Sequence, residues 1–157
     1  MKDRFFIVPH THYDAVVFKT REEYLEMGLP IILHALQCLR SDPRYRFALD
    51  QVCYIRPFLE RYPEQEAAFR ELIAEGRLQI TCGMDTMADV NIPSGESFVR
   101  QALYGKRYCR ERLGIEVTTG WALDTFGHHP QMPQLLRQAG FDSYFFARGV
   151  PDPATPA

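Results

Sequence analysis

The sequence predicts an α/β fold built on a parallel sheet. Five apolar or alternating runs have the composition of strands, and helix-like segments separate them along most of the chain. Parallel neighbours need a crossover helix, so this alternation favours βα repeats. A chain of 157 residues, 46% of them hydrophobic, is long enough for one domain with a proper core. Five strands leave an open sheet, since a closed barrel needs more chain.

The predicted strands are short, and most are followed by polar or glycine-containing sequence. The first is continuously apolar (FFIV), and the second alternates between polar and apolar residues. The five strands are expected at residues 5–8, 44–49, 78–82, 115–121 and 141–146.

The predicted helices carry recognisable start and stop signals. The first begins after Thr20, which forms a capping-box pattern with Glu23. It continues to Leu39, and Pro30 is expected to kink or restart it. Glycines follow the ends of the later helices. Those helices are expected at about residues 63–74, 94–113 and 132–139.

Composition and charge limit the partners and the compartment. A formal charge of −2 without a block of like charges argues against nucleic acid or an anionic membrane as a partner. The irregularly spaced Cys38, Cys53, Cys82 and Cys109 form no CxxC pair and are expected to be reduced thiols. The apolar run near the N-terminus is too short for a signal peptide or a membrane span. We therefore expect a cytoplasmic protein.

A histidine and aspartate motif follows the first predicted strand. His12 and Asp14 are two residues apart, so on an extended chain their side chains emerge on the same side, which His10 shares. Zinc accepts imidazole nitrogen and carboxylate oxygen at about 2.0–2.2 Å. Histidines at a strand end can also simply cap backbone groups or pack. A second Asp-His cluster elsewhere in the chain favours a metal site.

That second cluster lies at residues 121–129 (WALDTFGHH), after the fourth predicted strand. Asp124 follows an apolar stretch, where a half-buried carboxylate is costly unless it is paired. A metal ion would offset this cost and keep Asp124 ionised as a ligand or nucleophile. Alternatively, Asp124 only starts a turn. Of His128 and His129, one is expected to orient a carboxylate and the other to be structural or exposed.

In this order and spacing, the two motifs resemble the N-terminal catalytic domain of glycoside hydrolase family 38, the α-mannosidases. The resemblance rests on residues 9–14 (PHTHYD) and 121–133 (WALDTFGHHPQMP), and it extends through residues 91–97 (NIPSGES). It implies about five strands of a distorted seven-stranded (β/α) barrel. Residues 1–150 would be part of such a catalytic domain, and residues 151–157 would be a Pro-rich tail.

The resemblance also implies roles for individual residues. His12, Asp14 and Asp124 would bind zinc, and Asp124 would also be the nucleophile of a retaining α-mannosidase. Arg148, after the fifth predicted strand, would contact both the nucleophile and the sugar. The implied substrate is an α-mannoside or a related carbohydrate.

The chain departs from the family pattern at several points. Val17 stands where most members have an aromatic residue, so Phe18 is expected to replace that sugar-stacking platform or the subsite is altered. The family's fourth zinc ligand and its acid/base aspartate have no counterpart in the 157 residues. Asp85 and Asp89 are either sugar contacts or solvated loop carboxylates. The chain is therefore expected to be inactive without a downstream segment, and to associate with itself or with a complementing C-terminal chain.

Two other functions fit the same residues less well. One is a metal-dependent hydrolase resembling the polysaccharide deacetylases, which also use aspartate and two histidines on a related barrel. The other is a non-catalytic module that binds sugar or metal. The two quoted motifs favour the mannosidase interpretation over both.

Overall fold

The structure is a computed structural model that describes residues 3–149. These residues divide into two compact units, the first made of residues 3–49 and 54–80 and the second of residues 50–53 and 81–149. The predicted Pro-rich tail at residues 151–157 lies outside the described residues. No helix within the described range combines the length and the apolar character needed to cross a membrane.

The first unit is built around a parallel strand pair. In chain order it contains α1 (Arg21–Ser41), β1 (Phe47–Leu49), most of α2 (Val52–Arg61), a 3₁₀ turn (Pro63–Gln65), α3 (Glu66–Ala74) and β2 (Leu78–Ile80). β1 and β2 pair in parallel with Ala48 opposite Gln79. Residues 9–11 pair with the other side of β1, because the Ala48 amide donates to the Pro9 carbonyl (3.0 Å) and the Thr11 amide donates to the Ala48 carbonyl (3.2 Å).

Helix α1 confirms the predicted capping box. The Thr20 hydroxyl accepts from the Glu23 amide, and the Glu23 carboxylate accepts from the Thr20 amide at 2.8 Å. The helix is a single element that includes Pro30, so the predicted restart does not occur. Proline removes one backbone hydrogen bond, but buried residues both before it (Leu29) and after it (Ile32) belong to the apolar face of the helix, and packing of such a face is the main source of helix stability.

The predicted first strand is absent. Residues 5–8 are not part of a strand, and their four side chains are between 61% and 91% exposed. A strand needs a hydrogen-bonded neighbour as well as an apolar sequence. Among the described residues, the N-terminal segment first pairs at Pro9 and His10, next to Ala48.

The second unit repeats the parallel arrangement with a second strand pair. It contains α4 (Gly95–Tyr108), a π-helical turn (Cys109–Leu113), β3 (Thr119–Ala122), α5 (Met132–Gln138) and β4 (Ser143–Phe146). β3 and β4 are parallel, with Trp121 opposite Phe145 and their rings stacked at 4.5 Å between centroids. The predicted parallel pairing is confirmed. Within the described range, however, the strands form two separate two-stranded sheets where the sequence predicted a single one.

A buried lysine side chain caps the C-terminal end of helix α5. Lys106 is 7% exposed, and its ammonium group donates to the carbonyls of Ala139 and Gly140 at 3.0 Å each. Its third partner is the Glu116 carboxylate at 3.1 Å. Hydrogen bonds from Arg110 and Lys106 hold the pKa of Glu116 below its usual value. The lysine thus satisfies carbonyls just beyond the helix end, where positive charge is favoured.

Helix α4 contacts the loop after β2 at Gly105. A Cβ atom at this position would lie 2.6 Å from both the Asp85 amide nitrogen and the Gly83 carbonyl oxygen. Real Cβ atoms do not approach backbone atoms so closely, so the loop can adopt this course only because residue 105 has no side chain.

We predict that Gly105→Ala destabilises the protein by about 1–3 kcal/mol, because the clash with the loop outweighs the gain of about 1 kcal/mol in helix propensity. Urea denaturation measures the effect. Gly95→Ala is the matched control, since a Cβ atom at Gly95, on the same helix, meets nothing within 4 Å. Equal stability of the two variants would contradict the prediction.

Candidate metal centre and active site

His12 and Asp14 lie in the first unit, just after the backbone pairing with β1 ends. The Thr11 side chain between the two histidines is buried, whereas His12 and Asp14 are 27% and 48% exposed. His12 Nε2 is 3.9 Å from Asp14 Oδ1. Two atoms bound to one zinc ion at about 2.0–2.2 Å lie at most about 4.4 Å apart. This imidazole and carboxylate therefore fit as two ligands of one ion.

Two tyrosines hold the segment that carries these ligands. The Tyr54 hydroxyl, on α2, donates to the backbone carbonyl of Asp14 at 3.1 Å. The Tyr13 hydroxyl donates to the Gly28 carbonyl on α1 at 3.2 Å, and the two tyrosine rings pack at 4.6 Å between centroids. The sequence did not predict these contacts. Tyr54 is 40 positions away from Asp14, and no local sequence pattern indicates that the two residues meet.

The structure leaves the predicted sugar platform exposed. Phe18 is 91% exposed and Val17 is 54% exposed, both in the bend that precedes α1. The Phe18 amide donates to the Tyr24 hydroxyl at 3.3 Å, which fixes the backbone but leaves the ring in solvent. Substrate stacking on Phe18 stays a prediction.

Asp124 and Arg148 lie in the second unit, beyond the carboxyl ends of the neighbouring parallel strands β3 and β4. The Arg148 guanidinium forms an ion pair with the Asp124 carboxylate and is also 3.4 Å from the Asp124 carbonyl. The same guanidinium lies over the Phe126 ring, 4.1 Å from its centroid. The Asp124 side chain is 38% exposed and the Arg148 side chain is 47% exposed. The predicted contact between the arginine and the candidate nucleophile is thus present.

His128 supports the arginine through the backbone. Its Nε2 is 2.8 Å from the Arg148 carbonyl and its Nδ1 is 3.1 Å from the Tyr144 hydroxyl. A carbonyl only accepts, so Nε2 carries the proton, and in the neutral ring Nδ1 accepts from Tyr144. Burial raises the pKa of Tyr144 to about 12, which keeps its hydroxyl protonated as a donor. His128 therefore contacts a backbone carbonyl and a tyrosine hydroxyl.

The remaining candidates have local structural contacts. His129 Nδ1 accepts from the Gln131 amide at 3.1 Å, a local contact within the turn. Asp89 accepts from the Asn91 amide at 3.1 Å, a contact typical of an Asx turn. The Asp85 backbone bonds to Cys53 and Gln101. Sugar binding by either carboxylate stays a prediction.

A family model described as the glycosyl hydrolases family 38 N-terminal domain matches residues 2–150. Similar proteins include α-mannosidase 2 of Spodoptera frugiperda, 33% identical over 144 residues, and α-mannosidase 2x of Mus musculus, 34% identical over 145 residues. These alignments cover 90% and 91% of the chain. The chain spans only 13% of the length of either relative.

A search of solved structures also finds an α-mannosidase. An α-mannosidase from Enterococcus faecalis V583 superposes with a TM-score of 0.80 at 28% identity, covering 88% of this chain and 16% of that enzyme. A 4-α-glucanotransferase from Thermococcus litoralis, at a TM-score of 0.66 and 20% identity, shares the fold alone. The match over residues 2–150 to the N-terminal domain model and the 33–34% identity to the two α-mannosidases show that the chain belongs to glycosyl hydrolase family 38.

Proposed function

We propose that this chain is the N-terminal part of a zinc-dependent, retaining α-mannosidase-like hydrolase. The observation that carries the proposal is the ion pair between Asp124 and Arg148 beyond the ends of two parallel strands. Sites in α/β folds are built at the carboxyl ends of parallel strands. The relatives named as α-mannosidases support the choice of an α-mannoside as substrate.

The proposed zinc ligands are His12, Asp14 and Asp124. One imidazole and two carboxylates are a donor set that zinc accepts, and the 3.9 Å between His12 and Asp14 suits two of its ligands. Bound zinc would supply Lewis-acid charge stabilisation and would bind sugar hydroxyls.

The cytoplasmic location expected from the four reduced thiols stays a prediction.

In the proposed reaction Asp124 attacks the anomeric carbon as the glycosidic bond breaks. The product is a glycosyl ester on Asp124, which water then hydrolyses with retention of configuration. Arg148 balances the charge of the carboxylate and directs it, and its own position is fixed by Phe126 and by His128 at its carbonyl. A second carboxyl group must protonate the leaving oxygen. We propose that this group, and a fourth zinc ligand, lie outside the 157 residues.

We predict that the purified chain binds zinc and that His12→Ala weakens this binding strongly, because a direct ligand is lost. The dissociation constant should rise by more than the 10- to 100-fold that is typical for loss of a supporting group. Metal analysis after dialysis and competition with a chromophoric chelator measure the effect. His34→Ala, an exposed histidine on α1, is the control and should bind like the wild type. A wild-type chain that takes up no zinc would refute the proposal.

A further prediction concerns turnover by the chain alone. The 157-residue chain should not hydrolyse 4-nitrophenyl α-mannoside even when it is saturated with zinc, because the proposed acid/base group is not among its residues. Release of 4-nitrophenol measures the activity, and a zinc-loaded family enzyme serves as the positive control. Robust turnover would show that an acid/base group lies within the chain.

The role of Asp124 can be tested in a family-length enzyme that carries this domain. Asp124→Asn should abolish covalent labelling by a mannose-derived mechanism-based inactivator, since an amide cannot form the glycosyl ester. Intact-mass spectrometry detects the adduct. Asp89→Asn, at the carboxylate of the Asx turn, is the matched control and should still be labelled. Labelling of Asp124→Asn would place the nucleophile elsewhere.

A further inference from the structure

The segment that carries His12 and Asp14 leaves the strand pairing before it reaches Asp14. The Thr11 amide donates to the Ala48 carbonyl on β1, three residues before Asp14. Residues 15–19 form a series of bends, and the Asp14 side chain is 48% exposed. Neither burial nor regular secondary structure therefore fixes the direction of the Asp14 carboxylate. Another contact must do so if the carboxylate is to meet an ion at a defined place.

Tyr54 makes that contact from a rigid position. It is the third residue of α2 and only 4% exposed, and its hydroxyl donates to the Asp14 carbonyl at 3.1 Å. A hydrogen bond to this carbonyl fixes the peptide group that follows Asp14, and so limits rotation of the residue that carries the carboxylate. The bond joins a loop to the helix, which is the rigid element.

Tyr13 makes a second attachment of the same kind. Its hydroxyl donates to the Gly28 carbonyl on α1, and its ring packs on Tyr54. Gly28 makes room for this arrangement, because a Cβ atom there would lie 3.1 Å from Tyr13 Cζ and 3.4 Å from a ring carbon of Tyr54. Gly28 on α1 and Tyr54 on α2, both buried, thus contact Tyr13, which lies between His12 and Asp14.

We propose that Tyr54, with Tyr13 and Gly28, is a positioning residue that orients Asp14 for metal binding. The inference rests on the proposed zinc site, and it adds residues that do not touch the ion. Supporting groups of this kind typically change metal affinity by 10- to 100-fold when they are removed. They act through the ligand they hold, so their effect depends on that ligand being present.

The test is a double-mutant cycle on the 157-residue chain with Zn²⁺ as the probe. Tyr54→Phe removes only the hydroxyl and should raise the dissociation constant for zinc about tenfold. In an Asp14→Ala background the same change should have no further effect, because the oriented carboxylate is gone. A merely structural role would give the same factor in both backgrounds. Thermal unfolding without metal shows that each variant is folded.

Tyr104→Phe is the matched control, since it also removes a hydrogen-bonded hydroxyl, which lies 2.9 Å from Arg100 on the exposed face of α4. It should leave zinc affinity unchanged. Gly28→Ala gives an independent variant, because it favours the helix while crowding Tyr13, and it should weaken zinc binding as well. If wild type and Tyr54→Phe bind zinc equally, the positioning role is wrong and the zinc site stands. If the wild type binds no zinc, the zinc proposal itself fails, and this inference with it.

Discussion

Parallel hydrogen bonding between strands is the interaction on which each unit depends. A parallel pair cannot be closed by a tight turn, so each pair requires a helical connection that returns the chain to the same edge. In the first unit α2 and α3 connect β1 to β2, and in the second unit α5 connects β3 to β4. As a result, the carboxyl ends of the two strands in each pair lie side by side, together with the loops that follow them.

In the second unit the candidate site residues lie in those loops. Asp124 follows β3 and Arg148 follows β4, so the register of two neighbouring strands brings opposite charges into contact although 24 positions separate them. His128 then links the arginine backbone to Tyr144 on β4. In the first unit the carbonyl of Asp14 is held by Tyr54. Tyr54 does this from helix α2, whereas His128 lies in a loop and is itself bonded to Tyr144 on β4.

Elsewhere in the fold, a buried ammonium group is paired with backbone carbonyls and a carboxylate. Lys106 places its charge among two carbonyls and a carboxylate, which offsets the cost of removing it from water. Because Gly105 has no Cβ atom, the backbone of the loop after β2 can lie against α4, and because Gly28 has none, the Tyr13 and Tyr54 rings can lie against α1. These contacts depend on pairs of residues distant in sequence.

The sequence by itself determined the parallel βα order and the approximate limits of α1, α3, α4 and α5, because periodicity, capping and glycine signals are local. It also determined the family, since the two motifs at residues 9–14 and 121–133 are specific. It failed at residues 5–8, where an apolar run has no strand neighbour among the described residues. Only the tertiary structure decided that Tyr54 donates to the Asp14 carbonyl and that His128 contacts the Arg148 carbonyl. Such contacts follow from how elements pack, and no short stretch of sequence encodes that packing.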